Sequence, residues 1–237
     1  MEKLINIVCV HWEGDFRNRN YKISDVIRLK KMVSRNIKTP FKFYCLTNKI
    51  QKDVDYEQIP LRYNLEGWWS KLELFRSDLP IKGKILYLDL DIFINGGLDE
   101  IAFYGINNGK HPIYFMKPIG PNLIYGARKS NNIIDIGKTI VGNFQSSVIS
   151  WNQGYPTLSV PQLINDGVQY KYRGDQDLFG VLFDDMAGTF PAMWFNKIRY
   201  CYTGGPDKRV KVVLGNPKYL YQKALNIKPS WVRRIIL

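Results

Sequence analysis

At 237 residues, with 45% hydrophobic and 23% charged positions, the chain has the composition of an ordinary globular protein and room for one large α/β domain. No apolar run approaches the roughly 20 residues of a membrane span. Three scattered cysteines without a Cys-x-x-Cys pair point to reduced thiols in a cytoplasm, and two histidines are too few for a His-rich zinc site.

Residues 5–10, INIVCV, form an apolar run that stops at His11 without a small-residue cleavage site, which predicts a first buried strand rather than a signal peptide. FKFYCLT at 41–47 predicts a second strand. Between them Ile23, Ile27, Val33 and Ile37 recur near helical spacing, so residues 21–37 are expected to be a helix packed on a sheet, a β-α-β start. VDYEQIP at 54–60 adds a short strand, and WWSKLELFRSD at 68–78 a short helix ended before Pro80. KILYLDLD at 84–91 is a third near-continuous apolar run, of the kind parallel sheets use. From Lys117 to Gln145 the chain is rich in Gly, Pro and Asn and is expected to be an irregular binding loop. SSVISW follows as a strand, DQDLFGVLFDD at 175–185 as a helix with acids at its dipole-favoured start, and VKVVL as a late strand. No internal repeat or linker divides the chain.

The charge of +13 is uneven, because residues 197–237 hold ten Lys and Arg against Asp207 alone. A basic C-terminal segment, 216–237, with Trp231 and a terminal RRIIL, suits an anionic membrane surface. Nucleic acid and simple solvation are the other readings of that charge.

Asp89 and Asp91 interrupt the third apolar run. Buried, unpaired carboxylates are costly, so a compensating positive charge is expected beside them. In an extended chain side chains at i and i+2 share a face, with Leu90 turned the other way, and two such carboxylates suit a hard divalent cation, Mn²⁺ or Mg²⁺. The local pattern alone fits equally well a strand end followed by a turn cap before Asn95-Gly96-Gly97. Position at the C-terminal end of an α/β strand, where ligands of open sheets bind, favours the metal.

The order of motifs resembles a glycosyltransferase of the GT-A fold, similar to the family-8-like group. The resemblance is carried by VCVHW at 8–12, GWWSKLELF at 67–75, YLDLDIFINGGLDEI at 87–101, QSSVISWN at 145–152, GDQDLF at 174–179 and LGNPKY at 214–219. It implies one α/β domain over residues 1–237, with a mostly parallel central sheet, helices on both faces and a Rossmann-like nucleotide-binding half. It also implies a nucleotide-sugar donor, taken as a UDP-sugar, and a glycan or lipid-linked acceptor. Asp89 and Asp91, with Leu90 between them, would be the DxD motif that holds the metal on the donor diphosphate. Val8, Val10, His11 and Trp12 would lie along the nucleobase and ribose, Lys71 would point a cation at the donor, and Ser146 and Ser147 would sit near the sugar. Asp175 and Gln176 match the acid-Gln pair that faces the transferred sugar, and Lys218 would meet the diphosphate. A capping role for Asp175 and Asp177, and core packing for Trp68 and Trp69, remain open beside these roles.

Relatives carry a His before the Gly of this last motif, and that His completes the metal shell; here the position is Leu214. Gln145 stands where relatives commonly have Asn. A sugar-nucleotide or glycan-binding module without turnover is therefore a second reading, and transfer to DNA, prompted by the charge, a third. Phosphatases of the haloacid-dehalogenase type also carry Asp-x-Asp after a buried strand, and FDD at 183–185 imitates their later acid pair. Against them, Phe93 stands where their motif has Thr or Val, and the motif lies far from the first strand.

Overall fold

The computed structural model describes residues 4–17, 20–104, 110–118, 144–154, 156–197 and 211–215. Strand β1 (Ile5–His11) is the axis of the main sheet, flanked in parallel by β2 (Phe41–Thr47) and β4 (Lys84–Leu88). Beyond β2 lies β3 (Glu57–Pro60), also parallel. On the other side β7 (Gln145–Asn152) runs antiparallel to β4 and to β6 (Ile113–Met116), and β6 is parallel to β8 (Ala187–Thr189). The order β3-β2-β1-β4-β7-β6-β8 thus joins four parallel and two antiparallel pairings, the mostly parallel α/β sheet expected.

Strands buried on both faces need cover on both faces. Ile5, Ile7 and Cys9 of β1 and Leu86 and Leu88 of β4 pack on the side of α1 (Ile23–Asn36), which buries Val26, Leu29, Met32 and Val33. That stripe differs from the expected one: Ile27 is 38% exposed, and Val26 and Leu29 take the inward positions. Val8, Ile85 and Tyr87 face the other way, against residues 67–75 and α5 (Asp175–Leu182). Phe75 anchors this second layer, with ring centroids 5.1 Å from Trp151, 5.4 Å from Phe179 and 5.1 Å from Phe183.

Two expectations are refined. The short helix expected at 68–78 is a 3-10 helix over residues 67–75. Its three-residue turn stacks Trp69, Leu72 and Phe75 on one face, and all three are buried. The apolar run from 84 to 94 is also not one strand. It breaks into a turn at Asp89-Leu90-Asp91, and β5 (Ile92–Ile94) leaves the main sheet for a second one. There β5 pairs antiparallel with β10 (Val212–Leu214), which runs parallel to β9 (Phe195–Lys197).

Short helices α2 (Asp99–Ala102), α3 (Val160–Asn165) and α4 (Val168–Lys171) complete the described elements. The expected loop 117–145 is described only at its ends, since β7 begins at Gln145 and residues 119–143 lie outside the described set. The basic segment 216–237 and Lys218 lie outside it as well. No helix among the described residues is long and apolar enough to cross a membrane.

Candidate active site

Strands β1 and β4 are parallel, so their C-terminal ends open on the same edge, where ligands of such sheets bind. There β4 ends at Leu88 and delivers Asp89. Its backbone N–H is pinned to the Ser147 carbonyl at 2.9 Å, continuing the hold of β7 on β4 for one residue beyond the strand. The Asp89 carboxylate is met by Lys71, which the 3-10 helix presents from the side.

Lys71 is the centre of the site. Its Nζ lies 2.9 Å from Asp89 Oδ1, 3.0 Å from Asp175 Oδ2 and 3.2 Å from Ser146 Oγ. Ser146 in turn donates to Asp175 Oδ2 at 2.5 Å. Burial alone would lower the Lys71 pKa, but the attraction of Asp175 and then of Asp89 outweighs it, and the ammonium is held above the ordinary lysine range. The positive charge that the sequence demanded beside Asp89 is thus a side chain of the protein itself. Tyr87 donates a further hydrogen bond to Asp89 Oδ1, and burial followed by the Asp89 charge pushes its phenol pKa up.

Because residues 89–91 turn, the alternation that would set Asp89 and Asp91 on one strand face does not apply. Both nonetheless line one cleft of about 390 Å³. Leu90 is buried, and its carbonyl accepts from Arg28 at 2.5 Å. Gly215 N–H donates to the Asp91 carbonyl at 3.1 Å, and Leu214 pairs with Ile92. Leu214 is therefore beside the Asp-x-Asp turn and lines the same cleft.

Four carboxylates (Asp89, Asp91, Asp175 and Asp177) and two cations (Lys71 and Arg173) face this cleft among the described residues, a formal −2 in a chain of +13. Burial pushes the Asp177 carboxyl above its usual range. Gln176 and Ser147 line the cleft too. Ser146 is fully buried and reaches the site through Asp175 and Lys71. Asp175 is buried and turned onto Lys71 and Ser146 from the first turn of α5.

A second hollow of about 60 Å³ adjoins the first and shares Trp68, Lys71 and Asp89 with it. Its walls are Val10, Trp12, Phe16 and Tyr21. Of the expected nucleotide segment, then, Val10 and Trp12 reach a cavity, whereas Val8 is core and His11 is fully buried with Nε2 against the Tyr21 carbonyl at 3.1 Å. Phe16 meets Trp68 edge-on at 4.7 Å, and the Arg17 guanidinium lies 4.7 Å above the Trp68 ring. The adjacent tryptophans divide: Trp69 is core and Trp68 is wall. Tyr87, Phe16 and Arg173 were not singled out from sequence. For Tyr87 the signal was present, since it stands two residues before Asp89 on a strand and so shares its face.

Among the described residues no group of three or more His, Cys, Asp or Glu could hold a metal ion. The donor chemistry of Asp89 and Asp91 still suits a hard cation that keeps water or phosphate oxygens in its shell. Both described contacts of Asp89, to Tyr87 and Lys71, fall on Oδ1, which leaves Oδ2 for such an ion. The excess of carboxylates in the cleft acts in the same direction.

No protein-family model and no curated protein matches the chain. Solved structures do. A complex of the galactosyltransferase LgtC with donor and acceptor sugar analogues superimposes with a TM-score of 0.61 at 12% identity, covering 98% of this chain and 100% of that one. Mouse xyloside xylosyltransferase 1 gives 0.53 at 14% identity over 91% and 99% of the two chains. The glycosyltransferase GlyE of Streptococcus pneumoniae TIGR4 gives 0.52 at 16% identity over 81% of this chain and 46% of its own. At such identities the likeness is one of architecture, and the chain has the GT-A fold that these glycosyltransferase structures share.

Proposed function

We propose that the chain is a glycosyltransferase that moves a sugar from a nucleotide-sugar donor, taken as a UDP-sugar, to a glycan or lipid-linked acceptor, with Mn²⁺ or Mg²⁺ held at Asp89 and Asp91. The observation that carries the reading is the convergence of Asp89 and Asp175 on one buried ammonium, Lys71, in a cleft at the sheet edge. It joins the expected metal-binding turn to the expected sugar-facing acid. The architecture shared with sugar-transferring enzymes supports it.

The charge of the cleft gives the cation a reason. Carboxylates outnumber cations there, so a donor diphosphate is repelled unless a divalent ion reverses the local field. When bound, that ion would act as a Lewis acid on the charge developing at the departing diphosphate.

The remaining work falls to the protein's own groups. Val10 and Trp12 wall the hollow beside Asp89 and would flank the base and ribose. Lys71 and Ser146 both hold Asp175 by its Oδ2 and so fix the carboxylate in place. Asp175 and Gln176, held on the rigid start of α5, would face the anomeric carbon. A carboxylate or amide oxygen there stabilises the oxocarbenium-like transition state more than the ground state. Ser147 lines the cleft and would sit near the sugar, and Lys218, outside the described residues, would meet the diphosphate.

Leu214 favours a second reading, a module that holds a nucleotide-sugar without turnover, because an apolar side chain beside Asp91 supplies no ligand. A panel of UDP-, GDP-, CDP- and dTDP-sugars, each with and without Mn²⁺, separates the two when melting temperature and donor hydrolysis are followed together. Transferase activity requires a metal-dependent rise with release of nucleoside diphosphate. A rise without release gives the binding module, and no rise with any donor ends both readings.

A further inference from the structure

We propose that Tyr87 is a positioning residue for Asp89, holding its carboxylate so that one oxygen is always presented to a divalent cation. The inference rests on the reading of Asp89 as a metal ligand and extends it to a residue whose side chain is buried in the sheet.

Tyr87 and Asp89 are two residues apart across the end of β4, so the phenol and the carboxylate lie on the same side of the sheet. Tyr87 is 1% exposed, and its hydroxyl would be an orphaned buried donor without Asp89 Oδ1 to receive it. The same ring stands beside the Lys71 ammonium, 5.7 Å from its centroid. One side chain therefore touches both members of the Lys71–Asp89 pair. With the Asp89 N–H tied to Ser147, the carboxylate is anchored at its backbone and at Oδ1.

The consequence concerns competition. Lys71 has three donors and can reach either oxygen of a carboxylate free to rotate. Where Tyr87 and Lys71 share Oδ1, the carboxylate cannot swing to give Lys71 both oxygens, and Oδ2 stays available. Loss of the phenol hydroxyl frees that rotation, and the ammonium then competes with the cation for Asp89. Groups that orient metal ligands in this way affect metal affinity by about 10–100-fold.

The test is Tyr87→Phe, which keeps the ring against Lys71 and removes a single oxygen. Mn²⁺ affinity is measured by the loss of the free-ion electron paramagnetic resonance signal in the presence of UDP, beside a thermal melt. The variant should bind Mn²⁺ at least about tenfold more weakly per folded molecule. In an Asp89→Asn background the same substitution should have almost no effect on Mn²⁺, which a general loosening of the sheet would not reproduce. Should Tyr87→Phe not fold, 3-fluorotyrosine at position 87 serves instead: its fluorine resonance should shift when Mg²⁺ and UDP are added together. Equal Mn²⁺ affinity in parent and variant, or an unmoved fluorine resonance, overturns the role of Tyr87 alone. A parent protein with no Mn²⁺ affinity overturns the metal reading of the site and this inference with it.

Discussion

Lys71 Nζ lies 3.0 Å from Asp175 Oδ2, across a gap of 104 residues in sequence, and both side chains are nearly sealed from water, at 10% and 7% exposure. The same ammonium is 2.9 Å from Asp89. Removing one partner of a buried pair leaves uncompensated charge, which typically destabilises by about 3–5 kcal/mol. Lys71→Met should therefore lose stability on that scale in urea denaturation. The pH dependence follows from the direction of the Lys71 shift. Its folded pKa is raised, so the stabilisation is complete below the unfolded value of about 10.4 and is lost as pH rises through the folded one. The parent should lose stability relative to Lys71→Met only in strongly alkaline solution. A difference that vanishes near neutral pH would contradict the pairing.

Asp175→Asn and Gln176→Ala should lower turnover by about 10²-fold or more while changing donor affinity little, as expected of groups acting mainly in the transition state. Asp175→Asn should also lose some stability, because it unpairs Lys71 from one side. Single-turnover kinetics normalised to folded protein separate the two effects. A rate per folded molecule equal to the parent's makes the residue structural.

Leu214 is 7% exposed and lines the cleft beside the Asp-x-Asp turn. Leu214→His should tighten Mn²⁺ binding by about tenfold or more, the scale on which one group beside a metal matters. Identical Mn²⁺ affinity in the two proteins would show that the backbone there does not aim a ligand at the metal.

Gly67 opens the 3-10 helix with φ +55°, and a Cβ there would come within 2.2 Å of the Phe16 ring. Gly67→Ala should lose about 1–3 kcal/mol from backbone strain alone, with Phe16 displaced from Trp68. A thermal melt and tryptophan emission read both effects, and an unchanged melt would show that this edge of the aromatic hollow yields easily.

The main strands were legible because β1, β2 and β4 are unbroken apolar runs, as strands buried on both faces must be. The turn at 89–91 was not, because Ile92, Phe93 and Ile94 continue the apolar pattern and only the pairing with β10, more than 100 residues later, draws them out of the sheet. The 3-10 character of the helix expected at 68–78 hid for a related reason. Every residue from Trp69 to Phe75 is buried, so no polar face marks its period. At the site, Asp89 and Asp91 announced themselves as acids in an apolar run, but the burial of Lys71 and its bridge to Asp175 depend on tertiary contacts no local pattern encodes. Val8 and His11 were included with Val10 and Trp12 because the resemblance matches the segment from Val8 to Trp12 as a whole, whereas in the structure Val8 and His11 are buried and only Val10 and Trp12 line the hollow.

The most direct measurement compares the melting temperature of the parent and of Asp91→Asn with UDP, first without and then with Mn²⁺. A ligand bound only by the native state raises the apparent stability by an amount set by its affinity. The parent should show a clear rise that needs UDP and Mn²⁺ together, and Asp91→Asn, folded and melting near the parent without ligand, should show none. The same metal-dependent rise in both proteins would contradict the assignment of the divalent cation to the Asp-x-Asp turn.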